Sequence, residues 1–149
     1  MSAHGRILAV DYGHKRTGLA VTDGAGIAAH PLPAIVSEDL DFTIDEILAI
    51  AADKEVRKVV VGMPYLPSGL EGAQVQRVRL FLGELRKRLP QGIPIHTQDE
   101  RHTTSEAQRM LRMGGLNKKK AKPLIDSTAA VVILRQFIES PSPGETPLE

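Results

Sequence analysis

The chain has 149 residues, 42% apolar and 25% charged, with no cysteine and a formal net charge of +1. That length suits one domain able to bury about 68–70% of its unfolded surface without staples, and the lack of cysteine excludes a disulfide scaffold or a thiolate zinc site. No apolar run approaches the roughly 20 residues of a membrane helix, the N-terminal MSAHGRILAV has no charged stretch leading into a long apolar one, and aromatics at 3% are too scarce for base-stacking platforms; the expectation is a cytoplasmic protein with no signal peptide and no membrane contact.

Ile7–Asp11 (ILAVD) is a short apolar run that predicts a buried strand. The turn 12–18 (YGHKRTG) follows, and Leu19–Asp23 predicts a second strand, so the opening is an antiparallel hairpin. Pro31 and Pro33 make any strand over Ile27–Val36 an edge or broken one. From Asp39, with Asp39 or Asp41 as N-cap, Phe42, Ile44, Ile47, Leu48, Ile50 and Ala51 recur at helical spacing. Arg57–Gly62 predicts a strand stopped by Gly62 and Pro64, and 64–72 a loop. Val75, Val78, Leu82, Leu85 and Leu89 mark an amphipathic helix ended by Pro90 and Gly92. Ile93–Thr97 is a short strand. Thr103 and Glu106 form a capping box that opens a helix ending at Gly114–Gly115. Residues 116–122 (LNKKKAK) are a basic loop, and Pro123 starts a last helix through Phe137. The later strand–helix alternation implies parallel pairing with right-handed crossovers, joined to antiparallel opening strands. Residues 1–139 are expected to form one domain and 140–149 a disordered tail.

The acids carry the chemistry. Asp11 ends the first strand, and Asp99–Glu100 follow the last. If those strands are parallel neighbours, the acids open onto the sheet edge where open α/β sheets bind ligands. Asp126 shares a helix face with Ala130, Ile133 and Phe137, so it points where core residues point, and an unpaired carboxylate there is costly. Two unit charges about 4 Å apart repel by roughly 4 kcal/mol at an effective dielectric near 20. A shared proton or a cation must relieve that. Hard ions such as Mg²⁺ or Mn²⁺ prefer oxygen ligands, and two of them can clamp the attacking and leaving oxygens of a phosphodiester. Each acid also has a plainer reading: Asp11 ends a strand, Glu100 pairs with Arg101 or faces solvent, and Asp126 complements a helix dipole. Asp126 fits its plainer reading worst, and physics alone leaves Asp99 or Glu100 open.

Residues 1–74 hold 6 basic against 10 acidic side chains, and residues 75–149 hold 13 against 8. That asymmetry hints at a polyanionic partner for the second half. Lys15 and Arg16, in the turn beside Asp11, are candidate phosphate grips, as are Arg101 and the run Lys118, Lys119, Lys120 and Lys122. Arg77, Arg79, Arg86, Lys87 and Arg88 lie on the polar side of their helix and receive no role. His96 reads as structural, and His102 receives no role.

Four segments then match a known pattern. Asp11-x-Gly13-x-Lys15-Arg16-x-Gly18-x-Ala20-x-x-Asp23 resembles the opening motif of the YqgF proteins, in the RNase H-like superfamily. Val60-Val61-Gly62-x-Pro64 with Gly69 and Gly72, Asp99-Glu100-Arg101-x-Thr103-Thr104, and Asp126-Ser127-x-Ala129-Ala130-x-x-Ile133-Leu134 resemble the second, third and fourth motifs, in family order over residues 7 to 137. A lone DxG is weak; four ordered motifs are specific. The resemblance implies an α/β, RNase H-like fold with a five-stranded mixed sheet flanked by helices. It implies a site of Asp11, Glu100 and Asp126 holding Mg²⁺ or Mn²⁺, and nuclease activity. The substrate it implies is structured RNA, in 5′-end processing of the small-subunit (16S) ribosomal RNA precursor, or else branched DNA as a Holliday junction resolvase, by a monomer or weak homodimer. His102 and the Tyr65-Leu66-Pro67-Ser68 stretch depart from the family pattern, which bears on substrate preference. Two other classes compete. An actin-type ATPase or sugar kinase shares the strand–DxG–hairpin opening but needs two such domains. A non-catalytic RNA-binding module has no use for all three acids.

Overall fold

The computed structural model describes residues 5–66, 68–100 and 127–139. The expected helix opened by Thr103 and Glu106, the 116–122 loop and the 140–149 tail lie outside them. The elements are β1 (Arg6–Asp11), β2 (Arg16–Thr22), β3 (Ala29–Val36), α1 (Leu40–Asp53), β4 (Val56–Met63), α2 (Ala73–Arg88), β5 (Ile95–Asp99) and α3 (Thr128–Glu139). The sheet order is β3-β2-β1-β4-β5. β1, β2 and β3 pair antiparallel, whereas β1, β4 and β5 are parallel. This is the five-stranded mixed sheet that the sequence predicts, with the proline-bearing strand at one edge.

The two faces of the sheet differ in side-chain size. Leu8, Val10, Leu19, Val21, Val59 and Val61 face α1 and α2, meeting Ile44, Ile47, Val78, Phe81 and Leu85 in one core. On the other face Ala9, Ala20 and Val60 meet Ala130, Val131, Ile133, Leu134 and Phe137 of α3. Period-two alternation separates the two sets, and the smaller residues give α3 a close seat across the middle of the sheet. Ala130, Ile133 and Phe137, assigned to one helix face from their spacing, are all buried there.

Asp39 caps α1 by accepting the Asp41 N–H at 3.1 Å. Two strands are displaced from their expected limits. β2 starts at Arg16 rather than Leu19, because Thr17 is buried and pairs with Ile35. β5 runs Ile95–Asp99 rather than 93–97. Pro94 has no N–H to give the ladder, and only its carbonyl joins, accepting from Val59 N–H at 3.0 Å.

Ser127 ties the start of α3 into the sheet. Between Thr17 and Leu19 the β2–β3 register shifts, and Ser127, fully buried, fills the gap. Its Oγ accepts the Leu19 N–H at 3.0 Å and donates to the Leu32 carbonyl, so one hydroxyl replaces a missing rung. Ser127→Ala leaves the buried Leu19 N–H and the half-buried Leu32 carbonyl without this partner. The expected cost is about 2–3 kcal/mol, read as a lower urea midpoint with an unchanged slope.

Candidate active site: a carboxyl pair at the sheet edge

The parallel strands β1, β4 and β5 end at one edge of the sheet, and the candidate acids lie there. Asp11 is the last residue of β1 and continues the Ala9 side, the α3 face. Its partner across β2 is Gly18, and Gly62 follows Val60 on the same face of β4. The Glu100 N–H donates to the Met63 carbonyl at 3.0 Å, prolonging the β4–β5 ladder by one residue. Its side chain then lies over Gly62: a Cβ there would stand 2.6 Å from Glu100 Cδ and 2.5 Å from Ile133 Cδ1. The glycine is what leaves room for the carboxyl.

Over that gap Glu100 and Asp11 are hydrogen-bonded through their side chains. Burial raises the Asp11 pKa, and the bond from Glu100 opposes the rise. Glu100 is pushed up to about 9, first by burial, then by the Asp11 charge, by their hydrogen bond and by the Asp99 charge. Both carboxyls are thus shifted towards their protonated forms, and at neutral pH the pair holds a proton in the hydrogen bond between them. Two acids holding one proton in a partly buried place suit a hard cation, which supplies the positive charge the proton now supplies.

Asp99 and Glu100 take opposite sides of the sheet. Strand alternation sends Asp99, opposite Met63, towards the α1–α2 face, while Glu100 meets Asp11. Asp126, the third expected acid, lies outside the described residues, as do Arg101, Lys118, Lys119, Lys120 and Lys122. Among the described residues no group of three His, Asp or Glu is placed to hold a metal. Lys15 and Arg16 are exposed in the β1–β2 turn and line a surface groove with Val36, Ser37 and Glu38. Gly13 shapes that turn, since a Cβ on it would stand 2.3 Å from the Arg16 carbonyl. His14 Nε2 lies 3.3 Å from Glu38 Oε1, both side chains exposed. His96 packs against the Phe137 ring at 5.2 Å, as its structural reading expects, and burial lowers its pKa.

Sequence reasoning missed the α2 side of this edge. Gln74 Nε2 donates to the Tyr12 carbonyl at 3.1 Å, and Arg77 Nη1 donates to Gln74 Oε1 at 3.3 Å. Tyr12 itself stacks on Phe81, centroids 4.5 Å apart. No periodicity marks a polar residue in the first turn of a helix as the partner of a distant carbonyl.

A family model described as RuvX, Holliday junction resolvase, matches residues 5–140. A protein of Koribacter versatilis named "Putative pre-16S rRNA nuclease" is 36% identical over 138 residues, covering 93% of this chain and 89% of the relative. Proteins of the same name from Oleidesulfovibrio alaskensis and Streptomyces coelicolor are 38% and 40% identical. They cover 97% and 91% of this chain, and 99% and 81% of their own length. Among solved structures, T. thermophilus RuvC in complex with Holliday junction substrate aligns with a TM-score of 0.57 at 15% identity, over 97% of this chain and 100% of that one. The fowlpox virus Holliday junction resolvase aligns with a TM-score of 0.59 at 12% identity, over 91% and 99%. At these identities the structural likeness speaks for the fold.

Two variants test the carboxyl pair. Gly62→Ala forces Glu100 and Ile133 apart, with an expected loss of about 1–3 kcal/mol as in other overpacked cores, measured by urea unfolding. Glu100→Gln tests the proton. Between its ordinary value of 4.5 and about 9, Glu100 holds more proton in the native state than in the unfolded one. Its contribution is therefore intact below the lower value and is lost as pH rises through the upper. In EDTA the native Tm should fall from pH 5 to pH 9 more steeply than that of Glu100→Gln, which should be higher by about 3 °C or more at pH 8. Parallel curves would show that Glu100 carries no raised pKa.

Proposed function

The chain belongs to the RuvX family, and from that premise we propose that it is a divalent-metal-dependent nuclease acting on structured RNA, in processing the 5′ end of the 16S ribosomal RNA precursor. The observation that carries the reading is the Asp11–Glu100 pair, two acids on one proton at the edge where three parallel strands end. Relatives that carry the pre-16S rRNA nuclease name over nearly their whole length support the RNA substrate.

Asp11 and Glu100 are the assigned cation ligands, with Asp126 as the third acid. Bound there, Mg²⁺ or Mn²⁺ supplies an activated water and neutralises charge at phosphorus and at the departing 3′ oxygen. The protein's share is to hold the acids in register. β1 and β5 fix the two carboxyls, Gly62 keeps the space over which they meet, and α3 closes that face of the sheet. Lys15 and Arg16 stand in the turn next to Asp11 and hold the phosphates beside the scissile one, Arg16 with its planar fork. Arg101 and the lysines at 118, 119, 120 and 122 are assigned to backbone contacts on the same substrate. The proposed setting is the cytoplasm and the proposed assembly a monomer or weak homodimer; among the described residues no helix is long and apolar enough to cross a membrane.

The family model's own description favours a second reading, cleavage of branched DNA. That activity needs two symmetric sites and hence a dimer. A panel of precursor ribosomal RNA, single-stranded RNA and a four-way DNA junction separates the two readings. With Mn²⁺ or Mg²⁺ the precursor should be cut fastest, and EDTA should abolish cutting. Asp11→Asn, Glu100→Gln and Asp126→Asn should each lose about 100-fold or more in rate, as expected when a residue acts in the transition state, while circular dichroism stays native. Preferred cutting of the junction would replace the RNA reading by the DNA one, and a fully active acid variant would remove that residue from the site.

A further inference from the structure

The five basic residues of α2 are not equivalent. Arg79 clasps Glu71 with two nitrogens, and Glu71 also takes a hydrogen bond from Gln76, so this cation fastens the loop before α2. Lys87 pairs with Glu84 at 3.0 Å. Arg88 bridges to α1, pairing with Asp41 and Asp45, and reaches Glu84 as well. Arg77 and Arg86 have no carboxylate partner among the described residues. They differ in place. Arg86 lies near the C-terminal end of α2, about 13 Å along the axis from Arg77. Arg77 lies in the second turn, at the edge where Asp11 and Glu100 meet.

Arg77 is also indexed to Asp11. It donates to Gln74 Oε1, and Gln74 Nε2 donates to the carbonyl of Tyr12, the residue after Asp11. The Tyr12 ring is held by its stack on Phe81, near enough for Arg77 to act on its phenol electrostatically. Arg77 is exposed, and a guanidinium has five N–H donors of which Gln74 takes one. No acid among the described residues pairs with the others.

We propose that Arg77 contacts a backbone phosphate of the substrate on the α2 side of the sheet edge, opposite the α3 face into which the acids point. The Arg77–Gln74–Tyr12 tie would fix that phosphate relative to Asp11, so the strand crosses the edge from Lys15 and Arg16 to Arg77. This rests on the nuclease reading and adds a contact to it.

The test is binding, on an Asp11→Asn background that prevents cleavage, in Mg²⁺. Fluorescence anisotropy follows a short labelled RNA hairpin with a single-stranded 5′ extension, and in parallel a labelled four-way DNA junction, across a salt series. Arg77→Gln should weaken binding about five- to tenfold and reduce the salt slope by about 1, the mark of one lost phosphate contact. Arg77→Lys keeps a point charge but loses the fork, and should fall between. Arg86→Gln removes the same charge from the same helix and should stay within about twofold of the parent. Equal binding by Arg77→Gln and the parent overturns the inference alone, and so does an equal loss in Arg86→Gln, which would reveal only a diffuse charge effect. A parent that binds neither nucleic acid overturns the nuclease reading itself.

Discussion

Two partly buried carboxyl groups that share a hydrogen bond and oppose each other's ionisation set the terms for this fold. Asp11 and Glu100 come from opposite ends of the described sheet sequence, and both arrive at the same edge because β1 and β5 run parallel to the strand between them. Parallel pairing alone does this: with β5 reversed, Glu100 would leave the sheet at the far edge. Once together and partly buried, they repel at a cost that water would otherwise screen. One proton relieves the repulsion, and so would a cation of higher charge. The same arrangement that weakens the protein at high pH is the one proposed above to hold a metal.

The rest of the α3 face is shaped around that pair. Ala9, Ala20 and Val60 carry little side chain, and Gly18 and Gly62 carry none where the acids lie. A helix as apolar as α3 can lie close to such a surface, and its Ile133 reaches to Gly62 itself. Ser127 then sets where the helix begins. Its hydroxyl takes the place of a ladder rung between β2 and β3, so α3 cannot slide along the sheet without stranding Leu19 N–H and Leu32 C=O. Packing explains how close α3 lies, and one buried hydrogen-bond relay explains its register.

Much of this was legible in the residues. Strand β1 and the amphipathic α2 follow from hydrophobic period, the edge position of β3 from Pro31 and Pro33, and the α1 cap from Asp39. These are local rules that need no knowledge of neighbours. The same reasoning could place Asp11 and the Asp99–Glu100 pair at one edge, yet it could not choose between the latter two. That choice depends on how far β5 runs, and it ends at Asp99 rather than Thr97, so strand alternation reaches both acids. With a side-chain period of two, register decides which acid faces α3. Gly62 read as a strand stop because its value lies in what is absent beside it, a Cβ that Glu100 would strike. Gln74 gave no signal at all, since its partner is a carbonyl remote in sequence.

Charge shows the same boundary between counting and placing. The excess of basic residues in the second half of the chain suggested a polyanionic partner, but most of the cations on α2 have carboxylate partners within the chain. Arg79, Lys87 and Arg88 are spent on Glu71, Glu84, Asp41 and Asp45, where they join a loop and a neighbouring helix to α2. Such exposed pairs contribute little stability each, but they remove those cations from any account of substrate binding. What composition reports is a sum in which internal pairs and outward-facing charges weigh alike. What a phosphate meets is only the second kind, at a particular edge. Arg77 belongs to that kind because its fixed neighbour is a neutral amide, so its orientation is held while no carboxylate among the described residues cancels its charge.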